Sequence, residues 1–169
     1  EEAVRTIFEE QLKRLDVDYV DFYLLHELDK NKWEKVQQFD IIQIVEQLKA
    51  EGKSKYIGFS FHDEFDVFET IIHSYHWDFC QLQINYMDMD IQAGMKGIQL
   101  CDKLGLPVIV MEPIKGGSLA TLPQDVAQTF TNYHPHQSLS SWALRYVGTL
   151  PAVKVILSGM STMDQVDDN

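Results

Sequence analysis

The chain has 169 residues, of which 45% are hydrophobic and 24% charged, a composition typical of a globular domain and not of a disordered or fibrous chain. Its formal net charge of −12 at pH 7 argues against the basic surface on which electrostatic binding to nucleic acid or anionic lipid depends. No stretch approaches the roughly 20 apolar residues that a membrane span needs. From the charge and the absence of such a stretch, we expect neither nucleic acid nor a membrane as a partner.

We expect neither a signal peptide nor a lipid anchor. Its two cysteines, Cys80 within an apolar run and Cys101 within a helical pattern, have neither the number nor the spacing of a disulfide framework or a metal knuckle. We therefore expect a reducing, cytoplasmic location. Nothing in the sequence specifies an oligomeric state.

Five short apolar runs alternate along the chain with stretches of helical periodicity. The predicted strands are residues 19–25, 55–60, 79–84, 108–111 and 153–157. The predicted helices are residues 4–15, 41–48, 64–74, 91–105 and 138–147, with another that begins at 161–162. Ser138 is a candidate N-cap. Residues 115–137 are predicted to be a long loop that contains a short helix.

The alternation of strands and helices predicts parallel βαβ units, so the fold class is α/β, either as an open doubly wound sheet or as a closed barrel. No phosphate loop of the form G-x-G-x-x-G follows the first strand. Instead, polar residues or glycine follow each strand at its carboxyl end: His26, Ser60 with His62, Asn85, Glu112, and Ser158 with Gly159. A ring of functional groups at the carboxyl ends of strands is typical of a TIM (β/α)8 barrel.

Residues 15–26, LDVDYVDFYLLH, resemble the aldo-keto reductase signature around the fourth strand of that family. Further segments are similar to the family in the same order: Gly58-Phe59-Ser60 to its fifth-strand G-x-S, residues 80–83 to its sixth-strand motif, residues 110–117 to its seventh-strand loop, and residues 159–169 to its adenine-side helix. The residues in these segments are most similar to those of bacterial and archaeal members, which often carry a ferredoxin-like C-terminal extension. The resemblance implies a partial TIM (β/α)8 barrel. Residues 1–169 would form a single domain, which is the C-terminal part of the barrel and contains the barrel's parallel strands 4–8 with their helices.

The resemblance implies an NAD(P)H-dependent oxidoreductase that reduces small-molecule aldehydes or ketones to alcohols by hydride transfer. His26 would be catalytic, as a hydrogen-bond donor where charge develops on the carbonyl oxygen. The family's Asp, its proton-donating Tyr and its Lys precede the segments matched here. We therefore expect residues 1–169 alone to reduce carbonyls poorly or not at all, since losing a positioned general acid typically costs about 10²–10⁴-fold. We expect the full-length parent to be an enzyme. The alternative function is a non-catalytic nicotinamide-nucleotide-binding or redox-sensing module.

The resemblance also assigns residues to the nicotinamide end of the cofactor. Ser60 and Gln81 would hydrogen-bond the carboxamide, which fixes the ring face that meets the substrate. Met111 would pack on the ring through its polarisable thioether. The alternative is that Ser60 and Gln81 are ordinary strand-end polar groups and that Met111 belongs to the core.

At the other end of the cofactor, Ser158, Gly159 and the amides that open the last helix would hold phosphate. Gln165 and Asn169 would face the adenine, one helical turn apart on one face; the alternative is an amphipathic helix whose polar residues face solvent. NADP-specific relatives usually place Lys or Arg on this turn, where residues 160–163 are MSTM. Because no cation is present to pair with a 2′-phosphate, NAD(H) is a candidate beside NADP(H).

Three further points concern a histidine pair, a tryptophan and an iron–sulfur cluster. His134 and His136 form an H-x-H pair without an acidic or thiol partner at matching spacing, so no metal site is predicted. Trp33 is placed in the loop after His26, where it either walls the substrate pocket or shields the core. An iron–sulfur cluster is expected only in a downstream extension with cysteines spaced C-x₂-C-x₂-C.

Overall fold

The computed structural model describes residues 2–169, and strands and helices alternate along this part of the chain as the sequence predicts. The strands are β1 (Val20–Leu28), β2 (Ser54–Phe61), β3 (Phe79–Gln83), β4 (Val108–Met111) and β5 (Val153–Ile156). The helices are α1 (Glu2–Leu15), α2 (Lys30–Gln38), α3 (Ile41–Ala50), α4 (Phe65–Ser74), α5 (Gly94–Leu104), α6 (Gln124–Tyr133), α7 (Leu139–Gly148) and α8 (Met163–Asp168), with a 3-10 turn at Ser118–Ala120.

The sheet order of the strands is their chain order, β1-β2-β3-β4-β5. β1 pairs in parallel with β2, and β4 pairs in parallel with β5. The α/β class is thereby confirmed. The chain divides into two compact units; the first ends at Cys80 and the second begins at Gln81, within β3.

The first unit has an aromatic core between β2 and α4. Phe59, Phe61 and Phe68 are each 0% exposed, and the ring of Phe68 lies 5.9 Å from that of Phe59 and 5.3 Å from that of Phe61. α4 forms because Phe68, Ile71 and Ile72 fall on its buried face. This burial fixes β2, and with it the polar residues at the carboxyl end of that strand.

Helix α2 was not predicted, and the placement of Trp33 in a loop is wrong. Asp29 begins this helix as its N-cap, and its side chain accepts a hydrogen bond of 2.7 Å from the amide of Lys32. Trp33 is 6% exposed, and its ring centroid lies 6.4 Å from that of Trp77. The indole therefore belongs to the core of the first unit.

The second unit is built on β4 and α7. Val108 and Val110 of β4, and Ala143 and Val147 of α7, are all 0% exposed. Ser138 is the N-cap of α7, as predicted, and accepts a hydrogen bond of 3.0 Å from the amide of Ser141. The short helix expected within 115–137 is α6. None of the helices within residues 2–169 is both long and apolar enough to cross a bilayer.

Tyr75, which follows α4, provides a stability test at high pH. Burial of its phenol, with Glu46 and Asp78 nearby, raises the pKa of Tyr75 from 10.0 to about 12. The neutral phenol therefore stabilises the fold below pH 10, and this contribution is lost as the pH rises from 10 through about 12. Urea unfolding across this window should show a steeper loss of stability for the wild type than for Tyr75→Phe. Tyr133→Phe, at a site that is 75% exposed, should keep the wild-type slope, and equal slopes for all three proteins would contradict this assignment.

Candidate functional site

The second unit contains a cavity of about 360 Å³, within the range of about 300–1,000 Å³ typical of small-molecule sites. Its wall is formed by the loop after β4, the residues that follow β5 and the last turn of α8. Four residues that the sequence predicted for the cofactor line it together: Ser158, Gly159, Gln165 and Asn169. The structure therefore brings the predicted phosphate and adenine residues to one site.

The cavity offers open backbone and fixed polar groups. Within residues 2–169, no atom outside the glycine and its two chain neighbours lies within 4 Å of the position that a Cβ would take on Gly117 or Gly159, so a ligand can approach their backbone closely. The amide nitrogen Nδ2 of Asn169 donates a hydrogen bond of 3.0 Å to Oγ of Ser158. The cavity therefore presents both open backbone and polar side chains to a ligand.

Gln165 has a local role that the sequence analysis did not assign. Its Oε1 accepts hydrogen bonds from the backbone amides of Ser161 (2.7 Å) and Thr162 (3.2 Å), while Thr162 Oγ1 accepts one from the amide of Gln165 (3.3 Å). This reciprocal pair is a capping box. Gln165 therefore fixes the start of α8 as well as lining the cavity.

The structure also brings together the two nicotinamide residues predicted in the second unit. Nε2 of Gln81 lies 3.4 Å from Sδ of Met111, and both side chains are half-buried. Met111 ends β4, and the loop that walls the cavity follows directly. Gln81 and Met111 are thus neighbours at the entry to that loop.

In the first unit, His26 and Ser60 lie near the carboxyl ends of the paired strands β1 and β2. Ser60 is 1% exposed, and its Oγ accepts a hydrogen bond of 2.6 Å from the amide of Glu27. Glu27 has a φ of 57°, and an ion pair of 2.6 Å with Lys32 holds the pKa of its carboxyl below the usual value. Ser60 thus positions Glu27, the residue after His26. Because Oγ of Ser60 accepts this hydrogen bond, its hydroxyl proton stays available for donation.

Asn85, predicted as part of the polar ring at the strand ends, is fully buried. Its Oδ1 accepts hydrogen bonds from the amides of Met87 (2.9 Å) and Asp88 (3.0 Å). Its Nδ2 donates to Oδ2 of Asp88 (3.0 Å) and to the carbonyl of Glu112 (3.3 Å). Asn85 therefore organises the protein around the site. Within residues 2–169, no group of three or more His, Cys, Asp or Glu side chains is arranged to hold a metal ion.

The sequence matches a family model described as the aldo/keto reductase family over residues 1–169. An NADH-specific methylglyoxal reductase of Escherichia coli (strain K12) is 25% identical over 99% of this chain and 58% of its own length. A probable aldo-keto reductase 1 of Glycine max is 32% identical over 69% of this chain and 32% of its own length. The chain thus spans a third to three-fifths of these relatives.

Solved structures show the same fold. An aldo/keto reductase of Klebsiella pneumoniae in complex with NADP and acetate superposes with a TM-score of 0.79 at 20% identity, over 100% of this chain and 58% of its own. The holo form of a Bacillus halodurans aldo-keto reductase gives a TM-score of 0.78 at 24% identity, over 97% and 56%. The predicted partial TIM (β/α)8 barrel is thereby confirmed.

Proposed function

Because the chain belongs to the aldo/keto reductase family, we propose that it forms the cofactor-binding part of an NAD(P)H-dependent oxidoreductase that reduces aldehydes or ketones to alcohols. The observation that carries this proposal is the cavity lined by Ser158, Gly159, Gln165 and Asn169. A bound nicotinamide would supply the hydride. The protein would supply position: the backbone at Gly117 and Gly159 would hold phosphate, and Asn169 would face the adenine.

At the nicotinamide end of the cofactor, the proposed roles follow from the chemistry of each side chain. Gln81 carries both an amide donor and an acceptor for the carboxamide, and Met111 packs on the ring. For the first unit, the resemblance assigns the Ser60 hydroxyl as a donor to the carboxamide and His26 as a hydrogen-bond donor to the carbonyl oxygen of the substrate. None of the segments matched in residues 1–169 carries the family's Asp, Tyr and Lys. We therefore propose that the 169-residue chain alone binds the nucleotide but reduces carbonyls slowly.

A titration of the 169-residue chain with NADH, followed by quenching of tryptophan fluorescence, tests this function. We expect saturable binding that weakens about tenfold in Asn169→Ala, because the adenine loses a polar partner and Ser158 loses its hydrogen bond. Asn132→Ala, on the exposed surface of α6, is the matched control and should bind as the wild type does. Failure of the wild type to bind either NADH or NADPH at millimolar concentration would refute the proposal.

We further propose that NADH is the preferred cofactor. Residues 155–169 contain no Lys or Arg but three aspartates, Asp164, Asp167 and Asp168, and Asp168 lines the cavity. A 2′-phosphate placed here would meet carboxylates without a cation. The relative from Escherichia coli, an NADH-specific methylglyoxal reductase, supports the same preference.

Met163→Arg should raise the affinity for NADPH by about threefold to tenfold, which is what a charge-assisted hydrogen bond of about 1 kcal/mol at an exposed position supplies. Met163 is 69% exposed and is the first residue of α8, so the capping box stays intact. Fluorescence titration with both nucleotides measures the effect, and NADH affinity should change less than about twofold. Met163→Leu is the control. Equal gains for NADH and NADPH, or a wild type that prefers NADPH, would contradict the assignment.

A further inference from the structure

The loop that follows β4, residues 112–117 (the β4 loop), has an unusual backbone. Four of its residues have positive φ: Glu112 (53°), Lys115 (51°), Gly116 (60°) and Gly117 (91°). Glycine adopts this region freely, but Glu112 and Lys115 carry side chains, for which it is strained. Such a conformation persists only where surrounding contacts hold it.

An ion pair supplies one of these contacts. Nζ of Lys115 lies 2.5 Å from Oδ1 and 2.6 Å from Oδ2 of Asp88. Asp88 is 5% exposed, and the hydrogen bond from Lys115 holds the pKa of its carboxyl below the usual value. Asn85 donates to the same carboxylate and to the carbonyl of Glu112. The β4 loop is thus tied to the segment after β3 at two points.

The loop's two sides have different surroundings. Ile114, Gly116 and Gly117 line the cavity, whereas the ammonium group of Lys115 binds Asp88. The ion pair therefore fixes the backbone that forms the cavity wall, while the buried carboxylate of Asp88 neutralises the charge of Lys115. Lys115 thus affects a ligand through the conformation of the loop.

We propose that the Asp88–Lys115 ion pair is a positioning device for nucleotide binding, which holds the β4 loop in the conformation that forms the cavity wall and so sets the affinity for the nicotinamide dinucleotide. This inference rests on the proposed function. If the competent loop is populated only one-tenth of the time without the pair, the apparent Kd rises about tenfold, because apparent affinity scales with the competent fraction. Asp88 and Lys115 are positioning residues, since the pair acts through the backbone of the loop.

The test compares Lys115→Met and Lys115→Arg with Lys154→Met, which removes the same charge from β5. For each protein, NADH affinity is measured by fluorescence titration, and amide hydrogen exchange of residues 112–118 is measured without nucleotide. We expect Lys115→Met to weaken NADH binding about tenfold and to speed exchange in the β4 loop. Lys115→Arg, which keeps a charged donor for the carboxylate, should restore affinity to within about threefold of the wild type. Lys154→Met should change neither readout.

Three results would overturn the inference: unchanged affinity in Lys115→Met, weaker affinity without faster exchange in the β4 loop, or equal weakening in Lys154→Met. If Lys115→Met does not fold, Lys115→Gln replaces it and must show the same pair of effects. A wild type that binds no NADH would instead refute the proposed function. The exchange measurement on the free chain separates that outcome, because it reports whether Lys115 holds the loop at all.

Discussion

Gly58→Ala is expected to lower the free energy of unfolding by about 3 kcal/mol, at the upper end of what overpacking a core costs. A Cβ on Gly58 would lie 2.6 Å from the carbonyl oxygen of Phe79 and 2.7 Å from carbons of its ring. Phe79 cannot retreat easily. The adjoining Asp78 receives the amide of Ile57 at its carboxylate (2.8 Å) and donates its own amide to the Ile57 carbonyl (2.9 Å).

Urea unfolding followed by tryptophan fluorescence measures this loss. Gly148→Ala is the matched control, since the nearest atom to its Cβ position, apart from its chain neighbours and the nearby backbone of its own helix, is Cδ1 of Ile156 at 3.8 Å, an ordinary contact. Gly148 ends α7, where alanine is the better helix former by up to about 1 kcal/mol, so this variant should be neutral or more stable. A Gly58→Ala protein within about 1 kcal/mol of the wild type would show that β2 and β3 approach each other less closely than described.

Asn85→Ala is expected to lower the free energy of unfolding by about 3 kcal/mol as well. The substitution removes the acceptor for two backbone amides and leaves the buried Asp88 carboxylate and the Glu112 carbonyl each without one donor. Each buried polar group left without its partner costs about 1–3 kcal/mol, and partial relaxation keeps the sum below that of all four. Thermal and urea unfolding measure the loss.

Asn132→Ala, at an exposed position of α6, is the control for replacing asparagine as such. It should change stability by less than about 0.5 kcal/mol. If Asn85→Ala costs no more than this control, the hydrogen bonds around Asn85 do not carry the stability that their geometry implies.

The alternation of strands and helices could be predicted from the sequence because burial on both faces of a parallel sheet leaves nearly continuous apolar runs. Helix α2 could not, since only Trp33 and Val36 of its nine residues are buried and the rest read as a polar loop. Its start depends on Asp29, a single capping residue. A short helix with so few apolar residues gives little periodic signal.

Polar residues at strand ends could be predicted to surround the site, but not which of them face a ligand. Ser158 and Gly159 line the cavity, whereas Asn85 is consumed by hydrogen bonds to its own chain. The Asp88–Lys115 pair joins residues 27 positions apart. Asp88 lies outside the segments that resemble the family, and Lys115, within residues 110–117, was given no role by that resemblance. Sequence spacing carries no signal for a contact that depends on how two loops fold. Gly58 was identified by resemblance, and the close approach of Phe79 explains why glycine is needed there.

Methionine-methyl NMR of the 169-residue chain, titrated with NADH, tests the central claim most directly. The chain has six methionines, among them Met111 at the end of β4, Met160 next to the cavity residue Gly159, and Met87, which is 64% exposed. A nicotinamide dinucleotide bound in the cavity predicts saturable shifts of the Met111 and Met160 signals, because the nicotinamide ring and the phosphates lie beside them, with the Met87 signal unmoved. Saturation by NADH that leaves both Met111 and Met160 unshifted would contradict the claim that this cavity holds the cofactor.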